Sequence, residues 1–158
     1  MRGYQAIAAI LCVLIALWSS AASAIVTFRI DSNVMTEPLG GLIGDAVRGR
    51  AIVADRKIGL CLLCHSAPIP EERFQGNLSQ SLAGVGSRAT AGQLRMRLVD
   101  ARKMNSATIM PSYYRIDNLT RVSAAHRGRT ILSAQQIEDV IAYLLTLKVL
   151  VPRADDKP

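Results

Sequence analysis

The stretch Cys61-Leu62-Leu63-Cys64-His65 decides how the rest of this 158-residue chain is interpreted. Two cysteines separated by two residues and followed directly by histidine form the attachment signature of c-type haem. Each thiol adds across a haem vinyl group, and the adjacent imidazole is thereby placed beneath the iron. The composition of the chain would produce this pattern by chance only about 0.0007 times. We therefore predict one covalent haem c on Cys61 and Cys64, with His65 as an axial iron ligand.

Other uses of a Cys-x-x-Cys pair agree less well with the sequence. A thioredoxin-like dithiol requires a βαβ setting, and no alternation long enough for a sheet is present. A structural zinc site needs a second pair of ligands, and apart from Cys12 near the N-terminus only His126 remains among the usual Cys and His donors. A plain disulfide would leave the long loops of the chain unexplained. These three readings remain as alternatives to haem attachment.

The second axial ligand is less constrained than the first. Met110 lies in the long loop after the haem motif, and Pro111 restricts it toward an extended backbone. Methionine more often fills a core than binds a metal, but His/Met ligation is the cytochrome c pattern. We predict Met110 as the ligand, with Met104 and His126 as alternatives. Met ligation would fill the site that oxygen or peroxide uses, so the haem would transfer electrons and not bind substrate.

The N-terminus has the layout of a Sec-type signal peptide. Arg2 supplies a positive charge, residues 6–17 form an apolar run, and Ala22-Ser23-Ala24 is a small-x-small cleavage site. The run is shorter than the roughly 18 residues that a spanning helix needs. We predict cleavage after Ala24, export to the periplasm and no stable insertion into the membrane.

The remaining patterns predict an all-α, class I cytochrome c-like fold wrapped around one haem. Asp45 can cap a first helix that ends near Gly59, and capping boxes at Thr90 and Ser133 open two more. Apolar residues recur at spacings of three and four behind Ser133. The loops between the helices are too long for an ordinary domain, and a haem would explain them. The predicted division of the chain is a signal peptide (1–24), an extended arm (25–44), a cytochrome c domain (45–150) and a mobile tail (151–158).

The formal net charge of +7 falls to +6 when Arg2 leaves with the signal peptide. The stretch from residue 88 to residue 129 contains nine basic residues but only two acidic ones, Asp100 and Asp117. Such an excess is typical of nucleic-acid binding, which export argues against. A solvated surface and a docking site for an acidic protein partner remain as the two interpretations.

Four segments carry a family resemblance beyond the haem motif: PEERFQGNL (70–78), LAGVGSR (82–88), LRMRLVD (94–100) and, most specifically, TIMPSYYR (108–115). With the final helix, they resemble SoxX, the small monohaem subunit of the SoxAX complex of bacterial sulfur oxidation. The resemblance covers residues 49–148 and implies that Met110 is the distal ligand. One departure is Ser79-Gln80, where such cytochromes often carry a Gly-Pro step whose carbonyl orients the proximal histidine. A backbone acceptor survives that change, so the hydrogen bond can persist.

The resemblance implies that this chain forms a heterodimer with a SoxA-like cytochrome, and that the heterodimer acts as an L-cysteine S-thiosulfotransferase. That complex joins thiosulfate oxidatively to a cysteine of a SoxYZ-type carrier protein, and the electrons leave through haem to a small cytochrome c. Both cysteines of the mature chain are used by haem, so we expect no catalytic residue here and assign the sulfur chemistry to the partner. A free-standing periplasmic electron carrier is the main alternative. A peroxidase-like enzyme with five-coordinate iron is the third.

Overall fold

A computed structural model describes residues 25–26 and 34–149 of the chain. These residues form helices joined by loops, and the described part has no extended element beyond an isolated bridge at Val34. The predicted all-α architecture is therefore observed. No helix within the described ranges has the length and apolar character needed to cross a membrane. The predicted signal peptide (1–24) and tail (151–158) lie outside the described residues.

The three predicted helices are present, and a short fourth one was not expected. The first ends before the predicted limit near Gly59. The unexpected helix has four residues, too few to show a periodic pattern. Three single turns of 3₁₀ helix, at Leu39–Gly41, Cys61–Leu63 and Ala124–His126, interrupt the loops. The α-helices are α1 (Ala46–Ala54), α2 (Val85–Arg88), α3 (Ala91–Met104) and α4 (Ala134–Thr146).

All three helix starts inferred from capping residues are confirmed. The Asp45 carboxylate accepts a hydrogen bond from the Arg48 backbone N–H at 2.8 Å. Thr90 and Ser133 each form a capping box with the glutamine three residues later. The cap hydroxyl accepts from the backbone N–H of the glutamine, and the glutamine side chain accepts from the backbone N–H of the cap. Such caps satisfy backbone donors that have no partner inside the helix.

Helix α1 packs against α4 at a close approach of the two backbones. A Cβ atom added to Gly49 would lie 1.9 Å from the carbonyl oxygen of Asp139, so only glycine fits there. Beside this contact, the Asp139 carboxylate accepts bonds from Arg48 Nε and Nη2, both at 2.8 Å, and from the Asp45 N–H at 2.8 Å. Val53 of α1 and Val140 of α4 belong to the hydrophobic core, and both are almost fully buried.

Residues 34–44, which the sequence assigned to an extended arm, pack into the folded body. Met35 and Leu39 are each only 1% exposed. The Leu39 N–H donates to Glu138 Oε1 at 2.9 Å, and Arg95 Nη1 donates to the Met35 carbonyl at 2.6 Å. Arg95 and Glu138 are themselves joined by two hydrogen bonds, of 2.7 and 2.8 Å. A buried ion pair between α3 and α4 therefore fixes this segment to the domain.

Replacing Glu138 by alanine is expected to destabilise the protein strongly. The change leaves the Arg95 guanidinium buried without its carboxylate, and breaking a buried pair in this way typically costs about 3–5 kcal/mol. Denaturant unfolding of the haem-loaded chain measures the effect, with Glu37→Ala at an exposed neighbouring acid as the control. An unchanged unfolding midpoint for Glu138→Ala would show that the pair does not stabilise the fold.

Asp139 predicts a pH dependence of stability. Burial alone would raise the pKa of this carboxyl group, but hydrogen bonds from Arg48, the Asp45 N–H and Gln135 outweigh it and lower the pKa from 3.8. A lowered native pKa stabilises the fold above the unfolded pKa, and this contribution is lost as the pH falls. Asp139→Asn is expected to unfold more easily at pH 7, and its difference from the unchanged protein should shrink below about pH 4. Denaturant titrations at both pH values measure this, and a difference independent of pH would contradict it.

Candidate haem site

The predicted site residues meet in a single cleft. Cys61, Cys64, His65 and Met110 all line it, although Met110 is separated from the others by α2 and α3. The cleft contains about 1100 Å³ of empty space, counting the part open to solvent. Most other lining side chains are apolar, among them Val53, Leu60, Leu82, Val85, Leu94, Leu98, Val140 and Leu144.

The haem motif folds as a tight turn at one wall of the cleft. Leu60 adopts the left-handed conformation, with φ 58°, and the 3₁₀ turn Cys61–Leu63 follows it. The N–H groups of Cys64 and His65 both donate to the Cys61 carbonyl, at 3.2 and 2.9 Å. The turn therefore brings two cysteines and the following histidine to the same wall. Both cysteines are free, and burial raises the pKa of the Cys61 thiol to about 11.

The orientation of the His65 ring is fixed by one hydrogen bond. Its Nδ1 atom lies 2.7 Å from the backbone carbonyl oxygen of Gln80. A carbonyl oxygen can only accept, so Nδ1 carries the proton and Nε2 keeps the lone pair that a metal would use. Ligating histidines usually have such a partner on their other ring nitrogen. The expectation that a backbone acceptor survives at the Ser79-Gln80 departure is confirmed.

The loop after the motif positions this acceptor by pairing with the motif itself. The N–H groups of Gly76, Ser79 and Leu82 donate to carbonyls of residues 62, 64 and 66 at 2.8–3.0 Å. A Cβ atom on Gly76 would lie 2.3 Å from the Leu63 carbonyl oxygen, so the pairing requires glycine. The Gln75 side chain closes the loop by accepting from the Ala67 N–H at 2.5 Å and donating to two carbonyls. The role of Gln75 could not be predicted from the sequence, in which Gly76 was the only local signal of a tight turn.

The structure distinguishes among the candidates for the second axial ligand. Met110 is half-buried, while Met35 and Met96 are fully buried in the core. Met104 packs partly against that core, and His126 lines a separate, exposed cleft with Arg121 and Arg127. Among the residues that the structure describes, Met110 is the one candidate that shares the cleft of His65.

The donor set fits haem c. Two free thiols, an imidazole with Nε2 available and a thioether surround one largely apolar cleft, which is the combination that covalent attachment and His/Met ligation require. Arg88 and Arg97 also line the cleft and are exposed. Arg88 donates to two nearby backbone carbonyls, so Arg97 is the guanidinium available to a haem propionate. Across residues 25–26 and 34–149, no group of three or more His, Cys, Asp and Glu side chains is placed to hold a metal ion on its own.

Comparison with solved structures finds several similar chains, one of which matches the present chain over most of its length. The match is to the crystal structure of SoxXA from P. pantotrophus, with 32% sequence identity and a TM-score of 0.71. It covers 77% of the present chain and 95% of the chain it matches. A scan of protein-family models and a search of curated proteins both find no match. Together with the observed helices, the structural match confirms the predicted all-α, cytochrome c-like fold.

Proposed function

Because this chain belongs to the SoxX family, we propose that it is the haem c subunit of a periplasmic Sox complex that oxidises thiosulfate. The observation that carries the proposal is the convergence of Cys61, Cys64, His65 and Met110 on one cleft. Haem c bound there would supply one-electron oxidation and reduction.

Each of these four side chains has a separate role in the proposal. Cys61 and Cys64 would hold the haem covalently, and His65 and Met110 would bind its iron. The Gln80 carbonyl keeps the His65 ring in one orientation and raises the basicity of Nε2. A Met110 thioether on the iron would raise the reduction potential relative to harder donors and would occupy the position that small molecules need.

The cysteine count sets the division of labour between the subunits. Beyond the haem motif, the only other cysteine is Cys12, inside the predicted signal peptide. The mature chain would therefore have no thiol for sulfur chemistry, and we assign that chemistry to a SoxA-like partner. In this account the partner joins thiosulfate to a cysteine of a SoxYZ-type carrier, as an L-cysteine S-thiosulfotransferase. The present chain receives the electrons and passes them to a small cytochrome c.

The charge distribution supports docking to acidic partners. In the basic stretch, Arg95 is paired with Glu138 and buried, and Arg115 pairs with both Asp100 and Asp117. Complementary charge speeds the encounter of proteins and fixes their orientation, which suits electron transfer. The basic residues of this stretch that form no salt bridge in the described part of the chain are Arg88, Arg97, Arg102, Lys103, Arg121, Arg127 and Arg129.

Affinity purification of the tagged chain from the periplasm of its native host tests the subunit assignment. Each co-purifying band is stained for covalent haem after denaturing electrophoresis. We expect a second haem protein in stoichiometric amount. A single haem-stained band, at protein concentrations where the complex should persist, would instead establish a free-standing electron carrier.

A further inference from the structure

We propose that Asp100 is a positioning residue that holds the Met110 thioether in the cleft. The inference rests on the proposed ligation by Met110. The buried Asp100 carboxylate joins helix α3 to the loop that carries Met110. In the described contacts it touches neither the cleft nor either cysteine.

Asp100 lies where the helical backbone of α3 is interrupted. Its φ and ψ angles are −152° and 84°, an extended conformation inside a segment that is otherwise helical. The residue is only 2% exposed. A buried carboxylate is costly unless hydrogen bonds and opposite charge compensate it, so the partners of Asp100 show why it can be placed here.

Both partners of the carboxylate come from the loop that carries Met110. Asp100 Oδ1 accepts a hydrogen bond from the Ser112 hydroxyl at 3.0 Å, and Asp100 Oδ2 accepts one from Arg115 Nη1 at 2.5 Å. One rigid group on α3 therefore holds the loop at two points on either side of Tyr113 and Tyr114. Because Ser112 follows Met110 by two residues, its position limits where the thioether can lie.

Further contacts make the segment between these two points rigid. The Tyr113 N–H donates to the Leu98 carbonyl at 2.9 Å, and the Tyr113 hydroxyl donates to the Gly59 carbonyl at 2.8 Å. Pro111 has a fixed φ angle, so it leaves little freedom between Ser112 and Met110. A displacement of Ser112 is therefore transmitted to Met110 and is not absorbed by the intervening residue.

Asp117 provides a matched control for Asp100. Arg115 Nη2 also donates to Asp117 Oδ2, at 2.7 Å, but the Asp117 side chain is 65% exposed. Removing the Asp117 carboxylate leaves both Asp100 contacts in place. Asp139→Asn serves as a second control, because Asp139 is buried and hydrogen-bonded but lies at the contact of α1 with α4.

The test is imidazole binding to the oxidised, haem-loaded full chain, since imidazole reaches the iron only after the methionine leaves. Asp100→Ala is expected to raise the apparent imidazole affinity by about ten- to a hundredfold, the factor expected for losing one or two charge-assisted hydrogen bonds. Its spectrum should also show a high-spin fraction that increases with temperature. Asp117→Asn and Asp139→Asn are expected to stay within about twofold of the unchanged protein, because neither change removes a contact to Ser112.

If Asp100→Ala proves unable to fold or to load haem, Ser112→Ala removes one of the two anchors and should raise imidazole affinity by about two- to tenfold. The positioning role is overturned if the imidazole affinity of the Asp100 or Ser112 variant is unchanged while Met110→Ala makes the iron high-spin. That result would leave the ligation by Met110 intact. An equal rise in Asp139→Asn would assign the effect to general instability and overturn it too. If Met110→Ala itself leaves the spectrum unchanged, the proposed ligation by Met110 is wrong, and the positioning role of Asp100 is overturned with it.

Discussion

The double substitution of Cys61 and Cys64 by alanine is expected to abolish covalent haem attachment. Each thiol would form one of the two bonds that hold the haem, and the predicted mature chain has no other cysteine to replace them. Haem staining after denaturing electrophoresis should therefore fall to background. Replacing only Cys64 is expected to leave a single bond and a weaker, residual signal.

Cys12→Ala is the matched control, because it removes the same side chain from the predicted signal peptide. We expect exported Cys12→Ala protein to stain for haem as strongly as the unchanged chain. Staining that survives in the double variant would show that the haem is not attached through this motif. The zinc, dithiol and disulfide alternatives would then have to be reconsidered.

Replacing Met110 by alanine is expected to convert the oxidised iron from low-spin to high-spin and to lower its reduction potential. A thioether bound to the iron would be a strong-field ligand, and alanine would leave its position to water. Since axial ligands set haem potentials over about 0.8 V, we expect a fall on the order of 0.1 V or more. Absorption spectra and a redox titration of the haem-loaded chain measure both effects.

Met104→Ala controls for the loss of a methionine as such. Met104 ends α3 and packs partly against the core, outside the cleft, so its removal should leave the spectrum unchanged. A spin change in Met104→Ala but not in Met110→Ala would make Met104 the ligand. A high-spin spectrum in the unchanged protein that neither substitution alters would instead favour the peroxidase-like reading.

Local signals in the sequence predicted the parts of the fold that depend on neighbouring residues. The caps at Asp45, Thr90 and Ser133 each act within one helical turn, so they could be located without tertiary information. The haem motif is also contiguous, and its spacing alone places two thiols and an imidazole together. Met110 could be selected because its neighbour Pro111 restricts the backbone.

Features that depend on distant residues were not visible in the sequence. Arg95 and Glu138 are 43 residues apart, and Glu138 accepts from Leu39 across 99 residues. No periodic pattern connects such positions, so residues 34–44 looked like an arm. The interruption of α3 at Asp100 was equally hidden, because neither proline nor glycine marks it.

Thiosulfate-dependent reduction of this chain is the decisive test of its assignment to sulfur oxidation. The complex purified with its SoxA-like partner is oxidised, and thiosulfate and a SoxYZ-type carrier are added separately and together while the haem spectrum is recorded. We expect reduction of the haem on this chain only when thiosulfate and carrier are both present, and none with a carrier whose acceptor cysteine is replaced. A complex that dithionite reduces fully but thiosulfate with carrier leaves oxidised would contradict the assignment to sulfur oxidation.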